Sequence, residues 1–93
     1  MKTANESVWR EARDRLQMVD AGWREPGTRR NCLEECRAWM AAQTAHPRLA
    51  ALARLLTPEL TRRQFWSVLV PVEREVARCK VTDIDILDAD LPA

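Results

Sequence analysis

Apolar side chains recur at three- and four-residue intervals along most of this chain, and that spacing constrains the fold more than any other feature. An α-helix turns once about every 3.6 residues, so such intervals put side chains on one helical face. The first apolar stripe predicts a helix from about Asn5 to Asp20, with acid–base pairs four residues apart on its solvent side. The members of the stripe are Val8, Trp9, Ala12, Leu16, Val19 and Trp23.

A second stripe predicts a helix that begins after Thr28 and reaches about Thr44. Gly22 and Pro26-Gly27 predict a turn-rich linker before it. His46-Pro47 ends it, because the residue before a proline is pushed out of the α region. The stripe consists of Cys32, Leu33, Cys36, Trp39 and Met40. A short, mostly apolar third helix is then predicted from about Pro47 to Leu56, and its composition is typical of a helix at the centre of a bundle.

Two start signals for a fourth helix follow in succession: Thr57 followed by Pro58, and Thr61 with Gln64 three residues later, which is the spacing of a capping box. Its stripe consists of Phe65, Leu69, Val72, Val76 and Cys79. Pro71 lies inside this segment and predicts a kink or a break near Ser67–Val70, since an interior proline costs about 3 kcal/mol.

The last thirteen residues differ from the rest of the chain in charge. Residues 81–93 carry four acids and no base, whereas residues 1–80 carry fifteen bases against ten acids. Apolar side chains partly alternate with the aspartates here, so the segment is predicted to be extended. A charge asymmetry of this kind indicates a segment that docks on a basic surface, either of its own chain or of a partner.

These patterns predict an all-α fold: a small irregular four-helix bundle with a Pro-kinked or broken last helix and an extended acidic C-terminal tail. The helical domain comprises residues 1–80 and the tail residues 81–93. The alternative is an α+β fold in which Phe65–Val72 and Thr82–Leu87 pair as a small hairpin near the C-terminus. The four tryptophans are spread along the predicted helices, which favours core positions for them.

Composition favours one small cytoplasmic domain with no membrane partner. Ninety-three residues are enough for a single domain. The longest apolar run, residues 68–72, is far shorter than the ~20 residues of a membrane-spanning helix. Residues 1–6 have no secretory signal, and the odd number of cysteines predicts reduced thiols.

No catalytic set is apparent, so neither enzymatic activity nor a cofactor is expected. His46 is the only histidine and lies in a predicted turn. Cys32, Cys36 and Met40 have the spacing of a soft-metal site, which His46 or Cys79 would have to complete. Packing of cysteine and methionine between helices is the preferred interpretation.

The predicted function is a small non-enzymatic protein–protein interaction module, such as an adaptor, accessory subunit or inhibitor. Its partner is another protein, or a second copy of the chain in a homodimer. The tail docks on that partner, with apolar anchors and steering carboxylates. The predicted binding residues are Asp83, Ile84, Asp85, Ile86 and Leu87.

The alternative is a helix-turn-helix-like nucleic-acid-binding regulator whose acidic tail is autoinhibitory. The predicted third and fourth helices have that outline, with polar and basic side chains where a recognition helix begins. The net charge of only +1 argues against this alternative. The candidate contacts are Arg29, Arg30, Arg62, Arg63 and Gln64.

Overall fold

The computed structural model contains four α-helices. It describes the backbone of residues 4–90 and the side chains of residues 6–79. They are α1 (Ala4–Ala21), α2 (Pro26–Ala41), α3 (Pro47–Ala53) and α4 (Arg62–Asp90). The predicted all-α bundle is confirmed. Residues 4–90 contain no strand, and both segments of the alternative hairpin are helical. No helix in this part of the chain combines the length and the apolar character needed to cross a membrane.

α1 packs against both α2 and α4, and α2 packs in turn against α3. The buried members of its predicted stripe are Trp9, Ala12, Leu16 and Val19. α1 and α4 are antiparallel. Asp20, near the end of α1, is paired with Arg62 at the start of α4, whereas Trp9 shares a cleft with Arg78, just past the middle of α4.

α2 begins at Pro26, inside the segment predicted to be a linker. Pro26 lies in the first helical turn, where its missing N–H has no helical partner to lose. Glu25 precedes it with an extended backbone, and its Oε2 accepts a hydrogen bond from Thr28 Oγ1 at 3.1 Å. The predicted start was therefore late, because this proline starts a helix rather than breaking one. α2 also ends three residues earlier than predicted, at Ala41.

α3 has only seven residues and packs on α2, so the prediction that it is the central helix is wrong. Leu49 and Ala53 are its buried residues. A turn follows it, in which Leu56 is buried and Leu55 is 55% exposed. Eight residues, 54–61, connect α3 to α4.

α4 is a single helix of 29 residues with Pro71 inside it, so the predicted break does not occur. Its backbone stays helical through residue 90, where an extended tail was predicted. The chain contains no glycine or proline between Pro71 and Pro92, so nothing in that stretch forces the helix to stop. Pro71 is tolerated because the neighbouring turns bury Val68 and Val72 completely, and this packing offsets the missing hydrogen bond.

Phe65 and Trp23 join the start of α4 to the turn after α1. Phe65 is fully buried, and its ring centroid is 5.1 Å from that of Trp23 at a tilt of 38°, a favourable geometry for an aromatic pair. Trp9 is buried, and Trp23 and Trp39 are half-buried against the core. Trp66 departs from the predicted core placement, since 47% of it is exposed.

Candidate functional site

The most exposed tryptophan lies at the seam between α1 and α4. Trp66 Nε1 donates a hydrogen bond to Asp20 Oδ1 at 3.0 Å, and Arg62 Nε donates to the same oxygen at 3.3 Å. The Arg62 guanidinium lies 5.3 Å from the centre of the Trp66 ring. One turn further along α4, Val70 is 41% exposed. The indole is thus held in place by its polar edge while part of its apolar surface faces solvent.

The predicted tail residues Asp83, Ile84, Asp85, Ile86 and Leu87 lie in the helical backbone of α4. Their side chains are outside the described residues, so their binding role stays a prediction. The backbone conformation of this segment differs from the predicted one. A helix, rather than an extended strand, carries this acidic and apolar segment.

Three of the five residues predicted to contact nucleic acid make contacts within the chain. Arg29 Nη1 donates to the Trp23 carbonyl oxygen at 3.1 Å, and its guanidinium lies 5.0 Å from the centre of that ring. Arg62 is paired with Asp20. Gln64 forms the predicted capping box: its Oε1 accepts from the Thr61 N–H at 2.8 Å, and its own N–H donates to Thr61 Oγ1 at 3.1 Å.

The other two, Arg30 and Arg63, are exposed on α2 and α4 respectively. The eight-residue connection between α3 and α4 is also longer than the roughly three to four residues of a helix-turn-helix. Nucleic-acid binding therefore stays an untested prediction, and the geometry of α3 and α4 does not favour it.

A cleft of about 260 Å³ opens where the start of α3 faces α1 and α4. Glu75 is only 6% exposed there. Its carboxylate accepts a hydrogen bond from Arg78 Nη2 at 2.5 Å and pairs with Arg48 Nη1 at 3.6 Å. His46 and the Trp9 indole complete the polar and apolar walls.

Sequence reasoning missed this cluster. The three-residue spacing of Glu75 and Arg78 does indicate an ion pair between them. Glu75 also precedes Val76, which is a member of the predicted core stripe. The contact with Arg48, by contrast, joins α3 to α4 across 27 residues of sequence. The cleft holds a buried charge that is neutralised within the chain, and its lining residues include no hydroxyl or thiol nucleophile.

The cysteine face of α2 packs against the core of the bundle. Cys36 is buried, with its Sγ 3.7 Å from Met40 Sδ. Burial, partly offset by Arg15 and reinforced by Cys32, raises the pKa of the Cys36 thiol to about 12. In the metal-free protein this thiol therefore keeps its proton at neutral pH, and a metal ion would have to displace that proton in order to bind the sulfur. The residues that the structure describes contain no group of three or more His, Cys, Asp or Glu side chains that could hold a metal ion.

Comparisons with known proteins give no match: neither a family model, nor a curated protein, nor a solved structure resembles this chain.

Proposed function

We propose that this chain is a small non-enzymatic protein–protein interaction module with α4 as its binding element. The observation that supports this best is the length of α4. It has 29 residues, about 43 Å, whereas the antiparallel α1 has 18 residues, about 27 Å. Since Asp20 of α1 is paired with Arg62 at the start of α4, the extra length falls at the C-terminal end of α4.

That end of α4 has the composition of a docking segment. Residues 81–90 contain four aspartates and no base, and their apolar residues include Ile84, Ile86 and Leu87. A helix that offers apolar anchors can lie in a hydrophobic groove of a partner. Asp83 and Asp85 would steer this helix toward a basic surface of the partner. Such steering raises the rate of association more than the affinity.

A second observation supports the same helix. Trp66 and Val70 are one turn apart on α4, and both expose a large part of their apolar surface. Tryptophan is enriched among residues that dominate binding energy. The hydrogen bond to Asp20 fixes the indole before any partner arrives, which lowers the entropy lost on binding.

An adaptor, an accessory subunit and an inhibitor are all compatible with this mode of binding. We place the module in the cytoplasm as part of the same proposal. Its support is that Cys32 and Cys36 form no disulfide within the part of the chain that the structure describes, the usual state of cysteines in a reducing compartment.

The test compares three forms of the 93-residue chain as bait for capture from host extract: wild type, Ile84→Ser/Ile86→Ser, and Met18→Ser. Met18 is the control because it is 68% exposed but lies on α1. We expect a partner that binds wild type and Met18→Ser and is reduced at least tenfold with the double variant. Thermal unfolding of each bait checks that the bundle itself is intact. The same proteins captured equally by all three baits would contradict the proposal.

A further inference from the structure

α4 changes the sign of its charge along its length. Residues 62–80 contain five bases and two acids, a net charge of +3, whereas residues 81–90 have a net charge of −4. Arg63 and Arg74 are exposed on the basic part. The helix therefore has a basic N-terminal portion and an acidic C-terminal portion, and both portions carry apolar residues.

The acidic portion cannot fold back on the basic portion of the same helix. α4 is continuous from Arg62 to Asp90, and Asp83 lies nine residues beyond Arg74, which is about 13 Å along the axis. From Arg63 to Asp83 the separation is about 30 Å. Exposed charges this far apart are largely screened at physiological ionic strength. Within one chain, opposite charges are neighbours only at the junction of the two portions, where Lys80 lies three residues before Asp83. The remaining charges of the two portions can complement each other only between chains.

We infer that α4 docks on α4 of a second copy of this chain, in antiparallel orientation. In that orientation the acidic portion of each helix faces the basic portion of the other, so both contacts are favourable. A parallel pair would place like charges opposite each other. Two identical surfaces related by a two-fold axis are also the commonest way in which a chain of one kind associates.

The apolar residues fit the same arrangement. Trp66 and Val70 lie in the basic portion, and Ile84 and Leu87 in the acidic portion. Eighteen residues make about five helical turns, so position 84 lies on the same side of the helix axis as position 66. Antiparallel pairing brings the exposed Trp66 and Val70 of one chain to the level of Ile84 and Leu87 in the other chain. The contact would then bury apolar surface as well as match charge.

This inference rests on the proposed function, because it names a second copy as the partner of the same helix. The test is sedimentation equilibrium of the 93-residue chain from about 5 to 500 µM. These concentrations cover the affinities expected of weak, transient contacts. The expected species has twice the 10.7 kDa of one chain. The dimer should weaken as salt is raised, since salt screens the attraction between the basic and the acidic portions.

Two charge-reversal variants test the orientation. Arg63→Glu/Arg74→Glu changes the net charge of residues 62–80 from +3 to −1, and Asp85→Lys/Asp88→Lys changes that of residues 81–90 from −4 to zero. Each alone should raise the dissociation constant at least tenfold, and an equimolar mixture of the two should form a heterodimer. Arg30→Glu/Arg37→Glu is the matched control, because both arginines are exposed on α2, and it should associate as wild type does.

The inference is overturned if wild type stays monomeric throughout the concentration range. It is also overturned if neither reversal variant weakens the dimer, because another surface then makes the contact. The proposed function is tested separately. If wild type is monomeric but still captures a different protein through Ile84 and Ile86, the homodimer is ruled out and the proposed interaction module stands.

Discussion

Trp66 and Asp20 lie 46 residues apart in sequence, and a hydrogen bond of 3.0 Å from the indole Nε1 to the carboxylate Oδ1 joins them. With the pair between Arg62 and the same oxygen, this bond fastens the first turn of α4 to the last turn of α1. Asp20 thereby sets where α4 starts along α1, and so how far α4 extends at its other end.

Asp20→Ala removes the acceptor for both donors. We expect the free energy of unfolding to fall by about 1 kcal/mol, because a net hydrogen bond contributes roughly that much and the exposed ion pair adds little. Urea denaturation measures the change. Asp14→Ala is the control: among the residues whose side chains are described, its carboxylate pairs with the neighbouring Arg13 alone, so its midpoint should stay close to that of wild type. Equal losses of stability in both variants would mean that the contacts between Asp20 and α4 contribute no stability of their own.

Thr61→Ala should destabilise the start of α4. The side chain of Thr61 accepts a hydrogen bond from the Gln64 N–H, and loss of a threonine cap costs about 1 kcal/mol. Thermal unfolding would register this as a drop of roughly 4 to 8 °C for a chain of this size. Thr57→Ala, in the preceding loop, alters the same residue type without removing a cap. If Thr57→Ala lowered the melting temperature as much as Thr61→Ala, the capping role would be refuted.

The features that sequence reasoning predicted are local ones. The capping box at Thr61 is written in residues three apart, and the apolar stripes of α1, α2 and α4 follow from helical spacing alone. The prediction of where α2 starts was wrong, also for a local reason. Pro26-Gly27 is a turn signal in most contexts, but proline is also favoured in the first turn of a helix.

What the sequence did not reveal depends on contacts between distant segments. The pairing of Arg62 with Asp20 and of Arg48 with Glu75 joins residues that only the packing of α1, α3 and α4 brings together. Trp66 was expected in the core because tryptophan is usually well buried. Its position one residue after Phe65 turns it about 100° away from the centre of the core, and the nearby Asp20 gives its N–H a partner at the surface.

Cys36 makes stability depend on pH in the alkaline range. Its pKa is about 12 in the folded protein against 9.0 for the ordinary thiol. Between these values the unfolded chain releases a proton that the folded protein keeps, so rising pH favours unfolding. The contribution is complete below pH 9 and is lost progressively as pH rises toward 12.

The measurement is the urea midpoint of wild type, Cys36→Ser and Cys32→Ser at pH 7.5 and pH 10. We expect wild type and Cys32→Ser to lose stability over this interval, and Cys36→Ser to lose less, whatever its stability at pH 7.5. The chain has no tyrosine, so phenol ionisation does not obscure the comparison. The same pH dependence in Cys36→Ser as in wild type would rule out this thiol as its source.

Pro71→Ala should stabilise the bundle. Within α4, Pro71 has no N–H to donate to the carbonyl of Ser67, and an interior proline disfavours a helix by about 3 kcal/mol. Alanine restores the donor and has the best helix propensity, so we expect a gain on the order of 1 kcal/mol or more after the lost ring contacts are counted. The urea midpoint reports it, and Ala77→Pro supplies the reverse change at an exposed position of the same helix. A lower midpoint for Pro71→Ala would instead show that a bend at Pro71 is needed for α4 to follow the surface of α1.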